Sequence, residues 1–423
     1  MVGIRKWIRS KLDSTAHGKG RRQGQAMRDD LPFLPLSRPR GLTPVPSSQD
    51  IANRSQSFYN YGLFRHLPYE LRRQILINAF GGQTLHLDLT YARPLVRKLT
   101  SMDLSNGIER AHYGLGSELV VNMSRSEGWQ WFSCVCHRRL GYSESEIDER
   151  HTANKFYQTI EPCDDQCLKG LMCDNGQCGS ACFVGTMGWI LACRQAYVDG
   201  IEILYSTNTF HISSMDIVSN IPRLLPHSRL SSITSLELLW QLNSFQFSKG
   251  AIEDFIEPLW KDPTKQDSML HTLCAMIPDT FPHVRRLYIS FQCELVPPSD
   301  IRDNDNISKV ESIFLGPVEQ MLRILGPGRG KQFNVAIQRG GWYTMLWKYY
   351  TLLGTRLRAE SSDGLMRGKF WKSLCPSGNN DQDVRGDYGY WICAGWWDMD
   401  AITYDHWIMS NWGCKWVGPT DTF

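Results

Sequence analysis

At 423 residues, the chain is longer than one compact core of ordinary size, so two or three units are expected. A hydrophobic share of 42% with 11% aromatics and only 21% charge excludes a chain disordered throughout. The net charge of +3 hides an asymmetry: residues 1–40 carry ten Lys/Arg against three Asp/Glu, or +7, which leaves −4 for the remainder.

Residues 1–55 contain that basic charge, with Pro32, Pro35, Pro39, Pro44 and Pro46 and no sustained apolar period, so a disordered arm is expected. Gly18-Lys19-Gly20-Arg21-Arg22 within it fits a solvated tail, a nuclear address or a non-specific nucleic-acid contact. The first ten residues lack the apolar stretch of a secretory signal. Residues 56–94 give a helix followed by a strand. Pro68 suits a helix start and Glu70 complements its positive end, Leu71, Ile75 and Ala79 recur at helical spacing beside Leu76 and Phe80, and Gly81-Gly82 stop the helix. Leu85, Leu87 and Leu89 then alternate with His86 and Asp88 as a half-buried strand.

Residues 95–182 show poor periodicity and dense cysteine. From 183 to 340 the pattern recovers, with a helix over about 185–205, strands at Asn208 to Ile212, Ile233 to Trp240, Val284 to Phe291 and Phe333 to Ile337, and a helix through Val310, Ile313, Phe314, Val318, Met321, Leu322 and Leu325. Helices alternating with strands predict an α/β (or α+β) fold with a largely parallel sheet. Ile233-x-x-Leu236-x-Leu238 and Val284-x-x-Leu287-x-Ile289 resemble leucine-rich repeat strands, but their wide separation favours an irregular, repeat-like layer over a solenoid. Residues 341–423 hold nine of fifteen tryptophans. These indoles are expected to pack the segment onto the layer, the other reading being a recognition surface of Tyr388, Tyr390, Trp391, Trp396 and Trp397. No apolar run reaches the roughly 18 residues of a membrane span, since Phe183 to Cys193 is short and Arg194 follows it.

Thirteen cysteines in a chain without a secretory signal read as reduced thiols or metal ligands. Cys134-x-Cys136-His137 is followed by Cys163-x3-Cys167-x5-Cys173-x4-Cys178-x3-Cys182. Ordinary buried thiols, a regulatory disulfide and structural zinc all fit. If zinc binds, four ligands drawn from Cys163, Cys167, Cys173, Cys178 and Cys182 close the site and leave no catalytic position. A Gly-x-Ser-x-Gly elbow, a phosphate loop and a His-Glu-x-x-His helix are absent, and His137 beside Cys136 does not make a nucleophile and base. An enzyme is not supported, and no cofactor beyond that possible zinc is implied. His86 and His211, in predicted strands, read as satisfied polar positions.

Leu67-Pro68-Tyr69-Glu70-Leu71-Arg72-Arg73-Gln74-Ile75-Leu76 resembles the Leu-Pro-x-Glu-Leu-Arg-x-x-Ile opening of fungal F-box-like proteins. Cys193-Arg194-Gln195-Ala196-Tyr197 and Ile201 to Ile212 are similar to the Cys-Arg-x-x-Tyr and Leu-Tyr-x-x-Asn-x-Phe blocks of the same proteins, and Leu31 to Pro35, Arg38-Pro39-Arg40 and Thr84 to Leu89 resemble an uncharacterised fungal domain-of-unknown-function family. The resemblance implies an uncharacterised interaction protein whose Leu67, Pro68, Leu71, Ile75 and Leu76 dock a Skp-type linker, making it an adaptor of a cullin-RING ubiquitin ligase. The chain departs from a three-helix F-box, because a strand follows the first helix and the Cys193 block comes more than a hundred residues later. The same apolar residues also fit an internal core, and the strand directly after the helix favours core packing. The alternative function is a nuclear or RNA-associated factor with a structural zinc site; the charge of −4 on the folded part weighs against nucleic acid. A cytoplasmic or nuclear location is expected, with no membrane partner.

Overall fold

The protein is described here by a computed structural model covering residues 30–35, 62–97, 119–136, 138, 161–165, 167, 184–240, 268–293, 306–328, 330–362, 367–374 and 388–395. After a 3-10 turn at Gly62–His66, the chain forms α1 (Tyr69–Phe80) and β1 (Thr84–Ala92). β2 (Leu95–Arg97) and β3 (Leu119–Val121) make a small antiparallel pair, and β4 (Gly128–Val135) returns along β1. A 3-10 turn at Pro162–Asp164 precedes α2 (Met187–Ile190), α3 (Arg194–Thr207), β5 (Thr209–Ile212), α4 (Met215–Leu224), α5 (His227–Leu230) and β6 (Ser235–Trp240). Next come α6 (Met269–Thr280), β7 (Arg286–Phe291), α7 (Asn306–Val310), a π-helical turn (Glu311–Leu315), α8 (Gly316–Leu325), β8 (Gln332–Ile337) and α9 (Arg339–Leu353). The described chain closes with β9 (Ala359–Ser362), β10 (Arg367–Ser373) and β11 (Gly389–Ala394).

Nine strands form one sheet in the order β4-β1-β5-β6-β7-β8-β11-β10-β9. The six inner strands from β1 to β11 run parallel; β4 adds an antiparallel edge on one side, and β10 followed by edge strand β9 add antiparallel pairs on the other. This is the mixed α/β fold with a mostly parallel sheet that the alternation of elements predicts. β6 and β7, the two strands with repeat-like patterns, lie side by side with Leu236 opposite Leu287 and Leu238 opposite Ile289.

The period of two along each strand divides the sheet into unlike faces. On one face, Leu87, Ile212, Leu238, Ile289, Val335, Ile392 and Phe370 form a continuous apolar row. Helices cover that row through Ile217 and Ile221 of α4, Leu273 and Ile277 of α6, Val318 and Met321 of α8, and Trp342 and Met345 of α9. Each such side chain, fully removed from water, contributes about 1.5–3 kcal/mol, so this layer dominates the stability. The opposite face carries His86, His211, Glu237, Tyr288 and Asn334 in register across β1, β5, β6, β7 and β8.

The two blocks that carry the family resemblance meet in space. α1 packs on α3 through Leu76, Phe80 and Ile203, and β1 pairs with β5. Fully buried Asn208 locks the junction: its amide donates to the carbonyls of Phe80 (2.9 Å) and Leu204 (3.0 Å), and its oxygen accepts from Gln83 N (2.8 Å). Gly81 is required there, because a Cβ would lie 2.7 Å from Thr207 Oγ1 and 2.9 Å from Ile77 Cα.

Several sequence expectations are modified. The single helix over 185–205 is two helices, interrupted at Leu191–Cys193, with the Cys193 sulfur capping α3 by accepting from Ala196 N at 3.4 Å. Most of the arm at 1–55 lies outside the described residues, but residues 30–35 are placed against the fold. Leu31 and Phe33 pack on the main core, Leu34 N donates to Arg223 O (2.9 Å), and the Arg223 guanidinium sits 3.6 Å from the Phe33 ring centre. Two apolar side chains there bury enough surface to offset ordering.

In the tryptophan-rich segment, the described Trp342, Trp371 and Trp391 serve packing, whereas Trp347 is 56% exposed. Trp342 is buried and donates to Ile392 O (3.0 Å), Trp371 meets Trp391 edge to face at 5.3 Å, and Tyr390 is in the core. Trp396 and Trp397 lie outside the described residues. Glu311, in the π-helical turn, accepts from Lys348 (2.6 Å), Tyr349 and Lys372 (3.1 Å), tying that turn to α9 and β10.

Candidate functional site

Two features of the fold carry chemistry beyond packing. The first is the outer surface of α1. Arg72, Leu76 and Phe80, spaced by four, are the residues that α1 buries. Arg72 is drawn inward by Asp199 of α3, with Nε 3.2 Å from Oδ2, while its Nη1 donates to Leu67 O (3.0 Å). Leu71 and Ile75 therefore face outward, 53% and 42% exposed, beside exposed Pro68, Tyr69 (43%) and Leu63 (84%). Core packing of Leu71 and Ile75, which the following strand favoured, is thus corrected: the buried ion pair turns the helix by one residue from the roll that an apolar stripe alone implies. Docking by Leu76 is corrected too, since Leu76 is 2% exposed and belongs to the core, and Leu67 is half-buried. Phe64 stacks edge to face on Trp189 of α2 at 4.4 Å, bringing that helix alongside, and its neighbours Met187 and Leu191 are also exposed.

The second feature lies on the polar face of the sheet. β4 pairs with β1 so that Cys136, just past its end, donates its amide to Thr84 O (2.8 Å) and comes beside His86. Residues 161–165 and 167 cover the same face. Pro162 and Cys163 are buried, and Gln292 donates to Cys163 O (2.7 Å). Asp165 and Cys167 thereby join His86 and Cys136, with one ligand-type atom from each of the four lying within 4.8 Å of all the others.

Asp165 is the hub. Its Oδ1 accepts from Cys167 N (2.7 Å), and its Oδ2 lies 3.1 Å from Cys136 Sγ, 3.2 Å from Arg138 Nη1 and 3.3 Å from His86 Nε2. Arg138 continues to Glu237, with Nη2 2.8 Å from Oε1, and Glu237 Oε2 meets His211 Nδ1 at 2.8 Å. His86 and His211 stand edge to face at 4.5 Å.

Burial works against every charge in this group, and pairing overcomes it for His86, Asp165 and Glu237 but not for His211. Burial alone would lower the His86 imidazole, but the Asp165 carboxylate and the Cys136 sulfur outweigh it and push it up to about 9. Burial also opposes ionisation of Asp165, yet His86 and His211 hold that carboxyl below the usual carboxylate range. Glu237 is lowered because His211 and Arg138 outweigh its burial. His211 is lowered by burial, which Glu237 does not overcome, and the neighbouring His86 adds to that effect. The Cys136 thiol is held up by Cys167 beside it and by burial.

Of the cysteines singled out in sequence, Cys136 and Cys167 are in this cluster, Cys167 alone among those proposed as zinc ligands. Cys163 is buried but belongs to a different contact, against Tyr288, whose phenol burial and Cys163 both push upward. Cys173, Cys178 and Cys182 lie outside the described residues, as does His137. His86, Cys136 and Asp165 were not assigned as ligands from sequence. The polar alternation of β1 marks His86, but only pairing of β1 with β4 shows which cysteine it meets. A separate open cavity of about 210 Å³ is lined by Thr234, His283, Arg285 and Lys331; Lys331 is committed to the α8 end, donating to Leu325 O and Gly326 O.

A mostly parallel α/β sheet with helices on its apolar face and a cysteine-bearing segment on its polar face defines the architectural class. Residues 56–276, more than half of the chain, match the family described as Domain of unknown function (DUF7730), and the chain belongs to that family. The matched residues run from before α1 into α6 and contain both features described above. No curated protein and no solved structure matched the chain. Among the described residues, no helix is long and apolar enough to cross a membrane.

Proposed function

We propose that the protein is an interaction protein that docks a Skp-type linker through α1, as an F-box-like adaptor of a cullin-RING ubiquitin ligase, with the remaining α/β layer presenting a partner. The observation that carries this reading is the exposure of Leu63, Tyr69, Leu71 and Ile75 on one short stretch. Water-facing aliphatic side chains at helical spacing are the anchors of helix-in-groove recognition. The residues resembling an F-box opening thus stay available for a partner at Pro68, Leu71 and Ile75, while α3 and Arg72 fix the helix from behind. The fold departs from a compact three-helix module by supplying α2 and α3 from a distant part of the chain.

Affinity purification of the full chain with a Skp-type linker tests the proposal. Leu71→Asp with Ile75→Asp is expected to abolish co-purification with an unchanged melting temperature, since both residues contribute little to the isolated fold. A linker that is retained undiminished by the double variant, or that never associates with the unmodified chain, refutes it.

A further inference from the structure

We propose that His86, Cys136, Asp165 and Cys167 form a structural Zn²⁺ site that fastens the 161–167 stretch to the polar face of the sheet. Tetrahedral zinc with bonds of about 2.0–2.3 Å needs ligand atoms about 3.3–3.8 Å apart. The four atoms here lie within 4.8 Å of one another, with Cys136 Sγ and His86 Nε2 at 3.1 and 3.3 Å from Asp165 Oδ2. Only a small adjustment separates this arrangement from coordination geometry.

The donor set also selects the metal. Two sulfurs and an imidazole favour Zn²⁺ over the oxygen-seeking Mg²⁺ and Ca²⁺. Four protein ligands fill a tetrahedron and leave no position for water, which is the pattern of a structural site. His86 Nε2 is buried and, although close to Asp165, is not aligned for a hydrogen bond with it.

The surroundings match a second shell. Arg138 N donates to Cys136 Sγ (3.3 Å), and Cys167 N donates to Asp165 Oδ1 (2.7 Å), which position a thiolate and a carboxylate. Two thiolates and a carboxylate carry one negative charge more than Zn²⁺ neutralises. The Arg138 guanidinium, 3.2 Å from Asp165 Oδ2 and shared with Glu237, lies against that charge. The ligands come from β1, the end of β4 and the 161–167 stretch, so one ion ties together three pieces of chain and its binding free energy is delivered as folding free energy.

Elemental analysis of the full chain, purified reduced from zinc-supplemented culture, is expected to give about one equivalent of zinc. Its Co²⁺-exchanged form is expected to show tetrahedral ligand-field bands and a thiolate charge-transfer band. Cys136→Ser and His86→Gln should each remove the metal, whereas Cys173→Ser with Cys178→Ser should retain it. Cys136→His guards against failure to fold: it should keep the metal and lose about half of the charge-transfer intensity. Zinc-free folded protein, metal unaffected by Cys136→Ser and His86→Gln, or a Cys136–Cys167 disulfide in protein alkylated before reduction would each overturn the proposal.

Discussion

Leu76→Ala and Ile75→Ala form a matched pair that tests how α1 is seated. Leu76 is 2% exposed and packs with Phe80 and Ile203, whereas Ile75 on the next position is 42% exposed. Truncating a buried leucine costs about 2–5 kcal/mol, depending on how far the surroundings collapse. This cluster is a small one, separate from the main core and shared by α1 and α3, so the lower part of that range, about 2–3 kcal/mol, is expected. At Ile75 the partial loss of burial is offset by the better helix propensity of alanine, leaving a change within about 0.5 kcal/mol. A gap of about 2 kcal/mol corresponds to a roughly 30-fold difference in the opening equilibrium of the helix. Hydrogen exchange of the α1 peptide measures that opening directly, and thermal unfolding reports whether it propagates to the whole sheet. If Ile75→Ala accelerates exchange as much as Leu76→Ala, the seating described here is wrong and the exposed stripe with it.

Asn208→Ala should destabilise by about 2–4 kcal/mol, because it strands two carbonyls and an amide at the α1–α3 junction; urea unfolding measures the loss, and a change under 1 kcal/mol would contradict the junction's role. Glu311 gives a pH dependence. Burial would raise its carboxyl, but Lys348, Tyr349 and Lys372 outweigh burial and lower it from its ordinary 4.5. A group lowered in the folded state stabilises at pH values above its unfolded pKa, and that contribution fades as pH falls through the folded value. Glu311→Gln is therefore expected to reduce the melting temperature at neutral pH and to flatten its fall below about pH 4.5; equal acid sensitivity in both proteins would reject the assignment.

The strands from β5 to β8 were legible because their apolar residues alternate or run continuously within short stretches, as buried parallel strands do. β4 and β9–β11 escaped notice. Gly128–Val135 mixes Trp, Gln and Ser on an edge with one partner, and Arg367–Ser373 carries Lys369 and Lys372, so neither shows a clean apolar face. Helix α9 was hidden by aromatic residues and Gly340-Gly341, whose low helix propensity is overridden by burial of Trp342 and Met345. The roll of α1 was unreadable from hydrophobicity, since the charged Arg72 lies on its inner face with a partner more than a hundred residues away. The cluster at His86 shows the same difficulty: cysteine spacing marks Cys136 and Cys167, but strand pairing and the placement of Asp165 are what bring them to His86.

The order of strands has a consequence for what can be cut from this chain. Residues 56–276 stop within α6, after β6 but before β7. Within the whole fold, β6 is an interior strand whose second side is paired along its full length, from Ser235 with Arg286 to Trp240 with Phe291. Cut at that boundary, the chain would end with the backbone groups of Ser-Leu-Glu-Leu-Leu-Trp open to any extended strand that met them, flanked by Leu236, Leu238 and Trp240 stripped of half their neighbours. Such a fragment presents the kind of long apolar edge that drives one molecule to pair with the next. The stretch that matches the family and the sheet it belongs to are therefore different lengths of the same chain, and the parallel part of that sheet extends to β11.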